Sequence, residues 1–350
     1  MLNSKQLKLL LLARKYDSDN NDVSMFFPVD LIRTMSEFHD PDADKLVQFI
    51  ADGKKDEAKK MLEANPRLVL QAANVVTPGG MTLKRIMPYE CALIGDPDMA
   101  LVVGEYFEKI GQNNNAVNDE CKKLREEQFK RYEKAIENML NVKPYDFTKL
   151  IDIIKASSPT DVNAELNHAK DYQSALRTEL EKFRKVFAPC TKKTPEQQFA
   201  YISFIYMSLL KAFKVYNAEW DNLSNHGNNY DKCRLVWCQL IGFIERRLPA
   251  VDRQAFAQGV DTIKGLHDMK RSLAYKYDPQ NEFPRTDFDD DSHSGLGFDF
   301  GVSIFGETWR GLVGVGHGGS RCGLKTYVEQ KHQDLKKLSS SCNMHLRNTK

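Results

Sequence analysis

One outline occurs twice in the first third of the chain: an apolar-periodic helix, a tight polar turn, and a second such helix. The first copy is Asp44–Asn65, DKLVQFIADGKKDEAKKMLEAN. Its turn is Asp52-Gly53-Lys54-Lys55-Asp56, and the helix after it carries Ala58, Met61 and Leu62. The second is Met87–Ile110, MPYECALIGDPDMALVVGEYFEKI. Its turn is Gly95-Asp96-Pro97-Asp98, followed by a helix with Met99, Val102, Val103 and Phe107. Apolar residues three and four apart give each helix one face to bury. A lone helical hairpin cannot bury that face, so the copies are expected to stack and the stack to need a cover.

These hairpins resemble ankyrin-like units, which usually bind other proteins rather than perform chemistry. The turns lie roughly 43 residues apart, against about 33 in a plain ankyrin repeat. The excess matches Pro66–Ile86, PRLVLQAANVVTPGGMTLKRI, where Leu-Val-Leu and Val-Val runs precede Thr77-Pro78-Gly79-Gly80. Pro and Gly suit a tight turn, so a β-hairpin is expected there. It is expected to project as a finger, with Val76, Thr77, Pro78, Gly79, Gly80 and Met81 as a protein-binding tip.

The rest reads as helix. Cys121, Leu124, Tyr132, Ile136 and Leu140 share a helical period, and Tyr145–Ala156 forms a shorter helix. Asp161–Phe187 reads as one long helix ended by Pro189. Thr194-Pro195-Glu196-Gln197 is a capped start for a helix with Ile202, Ile205, Tyr206, Leu209, Leu210 and Phe213 on one face. Asp231 is placed to cap a helix carrying Val236, Trp237, Leu240, Ile241 and Ile244. Leu248-Pro249 ends it, and Asp252 starts the next. Residues 275–310 hold eight acids against three bases, and 295–319 are Gly-rich. Residues 321–350 hold seven Lys or Arg. A last amphipathic helix with Leu324, Tyr327, Val328, Leu335 and Leu338 inside would leave Lys331, Lys336 and Lys337 outside. The final twelve residues, SSSCNMHLRNTK, are expected to be disordered.

The fold class expected is mainly α: ankyrin-like hairpins with an inserted β-hairpin, an α-helical bundle-like region, and a Gly-rich irregular segment. The organisation expected is N-terminal helices and loop at 1–43, the ankyrin-like unit at 44–115, and a helical region at 116–274. An acidic and Gly-rich segment at 275–323 and a basic helix and tail at 324–350 follow. The unit and the helical region should form one body, because a stack of two exposes an apolar end.

Few function classes find support in composition or motifs. A net charge of +2 gives no global field for nucleic acid. No apolar run is long enough to cross a bilayer; contact with a membrane surface through the basic tail stays open but is not indicated. The opening MLNSKQLKLLLLARKY reads as an amphipathic helix rather than a secretory signal. Seven irregularly spaced cysteines fit reduced thiols better than a disulfide framework. Gly314–Gly319 matches G-x-G-x-x-G, but too little chain follows it for a dinucleotide fold. Asp287-Phe288-Asp289-Asp290-Asp291 resembles the start of a calcium loop, yet Ser292 and Phe298 stand where Gly and Glu are needed. Cys233 and Cys238 lie about 140° apart around one helix and do not make a metal pair. Cofactors and metals are therefore expected to be none, and catalytic residues stay unknown. The enzyme alternative is a Cys- or acid-dependent modifier with its site in 275–322, where Cys322 would meet His226, His267 or His317.

Four segments in order, Gly53–Leu70, Pro88–Tyr106, Trp237–Pro249 and Leu324–His332, are similar to type IV-secreted effector proteins of intracellular bacteria and their uncharacterised relatives. The resemblance covers most of 44–332. It implies a protein-protein interaction scaffold, made in the bacterial cytoplasm and secreted into the host cell cytosol to bind a host protein. It brings no catalytic residues with it.

Overall fold

The computed structural model describes residues 41–110, 115–167, 169, 171–189, 194–257 and 319–347. They are mostly helical, with one two-stranded antiparallel sheet. Helix α1 (Pro41–Ala51) buries Ala43, Leu46, Val47 and Ile50, spaced three and four apart. Asp42 and Asp44 sit in its first turn, where the helix dipole favours acids. It ends in a Schellman motif: Lys54 N–H donates to the Phe49 carbonyl at 2.8 Å, and Gly53 N–H to that of Ile50 at 3.0 Å. Gly53 has φ 73°, a conformation that a side chain would strain. The reversal leads into α2 (Lys55–Ala64), which buries Ala58 and Leu62.

The second hairpin is α3 (Pro88–Gly95) and α4 (Pro97–Ile110). Every residue of α3 from Pro88 to Ile94 is buried, so this short helix is an inner one, covered on all sides. Asp96 turns the chain, its side chain accepting the Asp98 N–H at 3.0 Å. The hairpins stack, α1 on α3 and α2 on α4. Between them Pro66–Leu70 forms a 3-10 turn with Leu68, Val69 and Leu70 buried, not the strand expected from Leu-Val-Leu. The sheet is β1 (Ala73–Val76) and β2 (Thr82–Ile86).

This β-hairpin does not project, and the expected solvent-facing tip is corrected. Met81 is buried, and Gly79 is packed so that a Cβ there would meet the Arg247 carbonyl oxygen at 2.7 Å. Pro189 lies against Gly80, and Arg253 Nη1 donates to the Pro78 carbonyl at 2.8 Å. Folding back buries apolar surface and satisfies a turn carbonyl, which a projecting finger would do for neither. Among the six tip residues only Val76 is exposed.

The cover over the stack is built by α5 (Asn115–Glu137), α9 (Pro195–Ala218) and α14 (Gly319–Arg347), which pack on one another and on the second hairpin. Between α5 and α9 lie α6 (Thr148–Ala156), α7 (Pro159–Leu166) and α8 (Ala175–Val186). The single helix expected over Asp161–Phe187 is two. Ser158 caps α7 by accepting the Asp161 N–H, and Ser174 caps α8 by accepting that of Arg177. Thr194 caps α9, as its sequence suggests. After the short α10 (Trp220–Leu223), α11 (Asp231–Val236) runs through a π turn at Trp237–Ile241 into α12 (Gly242–Glu245). Helix α13 is Ala250–Ala257.

The α14 stripe Leu324, Tyr327, Val328, Leu335 and Leu338 is buried as expected, but Lys331 is buried with it. The helix also continues through Arg347, into the tail expected to be disordered. The opening helix and the acidic and Gly-rich motifs before Gly319 lie outside the described residues.

The docked hairpin makes a direct prediction. Gly79→Ala should cost about 1–3 kcal/mol by overpacking against the Arg247 backbone. Val76→Ser should change stability by no more than about 0.5 kcal/mol. Urea unfolding of the two variants checks this; equal midpoints would mean that the hairpin does not dock.

Candidate functional site

Two polar clusters are enclosed and heavily hydrogen-bonded, although Arg184 Nε of the second has no partner among the described residues. In the first, the Asp252 carboxylate at the start of α13 accepts hydrogen bonds from Tyr206 of α9 and Tyr327 of α14. Lys331 Nζ also donates to it at 2.7 Å, and to the Gly95 carbonyl at 2.7 Å. None of the four side chains is more than 2% exposed. Gly95 ends α3, so the ammonium meets a helix C-terminus whose carbonyls lack helical partners. In the second cluster, Glu165 of α7 takes Arg177 Nε at 2.6 Å and Arg184 at 3.6 Å. The π turn aims Gln239 here: its amide donates to the Glu165 carbonyl at 2.7 Å and accepts from Arg184 at 2.7 Å. Charges buried with this many partners hold helices together.

The candidate site is an open cleft of about 480 Å³ at the base of the β-hairpin, within the size range of ligand pockets. Lys84, Arg85 and Ile86 of β2 line one side, Glu127 and Arg131 of α5 the other, and Gln128 and Tyr132 of α5 lie at the floor. Glu90 of α3 and Gln198 of α9 close the ends. Glu90 is engaged, accepting from Arg131 at 2.7 Å and from the Met87 N–H at 3.2 Å. Burial nevertheless raises its carboxyl above the usual range, with Arg131 and the Met87 N–H opposing.

The floor holds two further buried groups, beside an open cleft rather than inside the core. Gln128 and Tyr132 are 3% and 0% exposed, yet the Gln128 Oε1 and Tyr132 Oη atoms have no hydrogen-bond partner among the described residues. Burial pushes the Tyr132 phenol well up, with the Glu90 charge adding, so the hydroxyl keeps its proton. Buried polar atoms normally find partners, because leaving one unmade costs about 1–3 kcal/mol.

The wall carries a second irregularity. The ladder pairs Ala73 with Ile86 and Val75 with Leu83, so β2 has one residue more than β1 between the pairs. This bulge sets Arg85 at φ 51°, a left-handed conformation that costs a non-Gly residue about 1–3 kcal/mol. Asn74 holds the bulge, accepting the Arg85 N–H at 3.0 Å while donating its own N–H to Asp44 at 3.1 Å. The result is an exposed Arg85 side chain on the cleft wall.

The structure brings none of the expected tip residues Val76 to Met81 to this cleft, although β2 continues from the tip into its wall. Cys91, Cys121 and Cys233 are buried free thiols, as their helical positions suggest. Burial pushes them up to about 12, about 11 and about 12 respectively. His226 sits in a turn at φ 53°. His267 and His317, and the calcium-like and G-x-G-x-x-G segments up to Gly318, lie outside the described residues, as does the side chain of Cys322. Among the described residues no group of three metal-capable side chains occurs, and no helix is long and apolar enough to cross a membrane. The sequence signal missed was Gln128, a polar residue one helical turn before Tyr132 on a buried face. Comparison of the chain with known protein families, curated proteins and solved structures finds no match.

Lys331→Met should destabilise by about 3–5 kcal/mol, because it leaves the Asp252 carboxylate buried without its cation. Adding Asp252→Asn should recover part of that loss, so the double variant should cost less than the two single changes summed. Additive losses in urea unfolding would show that the pair is not coupled. The thiols are tested separately. At pH 8 only roughly one in a thousand to one in ten thousand is ionised, so native Cys91, Cys121 and Cys233 should resist iodoacetamide and react once the chain is unfolded. Fast native labelling at these peptides, seen by mass spectrometry, would contradict their burial.

Proposed function

We propose that this protein is an interaction scaffold that binds a host protein, of the kind a type IV secretion system delivers from the bacterial cytoplasm into the host cell cytosol. Two stacked hairpins of ankyrin-like outline, fixed to a helical body, form its rigid frame. The observation that carries the reading is the cleft at the hairpin base, where two buried polar atoms lack partners among the described residues and a strained arginine lines the wall. Unmade hydrogen bonds and backbone strain oppose folding, so both are better explained by a partner. The contact surface is thus the base of the β-hairpin rather than its tip.

Full-length protein on beads should recover a partner from host-cell lysate. The charge reversals Lys84→Glu and Arg85→Glu should cut that recovery strongly with little change in melting temperature, and Val76→Ser should not. Recovery that ignores the cleft variants but falls with Val76→Ser would return the contact to the tip. A reporter enzyme fused to the chain should give signal in the host cytosol only when the secretion machinery is intact. Signal without the machinery, or none with it, would remove the delivery part.

A further inference from the structure

The cleft has a chemical preference. Its two unpartnered floor atoms are an amide oxygen, which accepts, and a phenol hydroxyl, which donates. A peptide group presents a donor and an acceptor together, N–H and C=O. A carboxylate presents acceptors alone and would leave the Gln128 oxygen facing another oxygen. The floor is therefore complementary to polypeptide backbone rather than to a carboxylate.

The rim adds a charge preference. Arg131 and Glu90 offset each other in their own ion pair. Outside that pair the lining charges are Lys84 and Arg85 against Glu127, a net excess of positive charge on the β2 wall. Both cations are exposed, and neither forms an ion pair among the described residues. The bulge at Arg85 also interrupts the β2 ladder, so regular strand addition along this edge is disfavoured and side chains must do the holding.

We propose, resting on the scaffold reading, that this cleft binds an extended segment of the partner protein. Gln128 and Tyr132 hold its backbone, and Arg85 and Lys84 pair with an acidic side chain. Arg85 is the specificity-determining residue. Its strained backbone is kept because the bulge sets the guanidinium at the rim, and a Gly at φ 51° would relieve the strain but bring no charge.

The test uses full-length protein and fluorescein-labelled hexapeptide pools, with Glu, Gln or Lys fixed at a central position and the other positions mixed. Fluorescence polarisation should show the Glu pool binding best and the Lys pool worst. Arg85→Gly should weaken the Glu pool about tenfold or more, with melting temperature unchanged or raised, and leave the Gln pool nearly unaffected. Gln128→Leu and Tyr132→Phe should weaken the Glu and Gln pools alike while leaving the protein at least as stable. Free glutamate and inorganic phosphate should not displace the peptide; displacement by either would make this a small-anion site and overturn the proposal. Equal binding of the three pools, or an Arg85→Gly protein that binds the Glu pool normally, would overturn it too. If no pool binds while lysate capture still depends on Lys84 and Arg85, the peptide proposal fails and the scaffold reading stands. Pools that bind beside a lysate that yields no partner would leave a peptide site and end the scaffold reading.

Discussion

The carboxylate of Asp252 joins parts of the chain that are far apart in sequence. Tyr206, Tyr327 and Lys331 all bond to it, and Lys331 reaches on to the Gly95 carbonyl, 236 residues away. A carboxylate and an ammonium carried out of water need this many partners, since their mutual attraction offsets desolvation only when the geometry is well satisfied. Here the partners come from α9, α13, α14 and the end of α3. The pair can form only when the second hairpin, its covering helices and the C-terminal helix are all in place. Its contribution is thus to specify one arrangement, with apolar packing around it supplying most of the favourable energy.

That arrangement decides what happens to the β-hairpin. Helix α13 carries Asp252 into the core, and its neighbour Arg253 reaches the Pro78 carbonyl. The Arg247 backbone just before α13 contacts Gly79. The tip is therefore seated by the same stretch of chain that bears the buried carboxylate. With the tip seated on the body, the bulge near the base of β2 lies beside α5, and the cleft forms between them.

Two sets of buried polar groups among the described residues contrast. Asp252 and Glu165 are buried and answered by several donors each. Gln128 and Tyr132 are equally buried, yet each has an atom unanswered, and they lie beneath an open cleft with Arg85 held in strain above. Proteins tolerate local costs of this kind where a ligand or partner supplies what folding does not.

The sequence by itself determined the local elements. The hairpin halves, the Thr194 cap and the apolar stripes follow from a period of three and four residues and from Gly, Pro and Ser or Thr at the ends. Where such signals are weak the sequence is silent or misleading. Asn167 to Ser174 holds neither Gly nor Pro, so nothing local marks the break between α7 and α8. Lys331 lies three and four residues after Val328 and Tyr327, on the buried stripe by spacing, although lysine is usually exposed. Only the tertiary structure decided that Asp252 waits for that ammonium, that the β-hairpin docks, and that Gln128 and Tyr132 face a cleft beside Arg85. Each of these depends on groups that meet across long sequence separations, and helical periodicity reports which face is buried but not what lies opposite it.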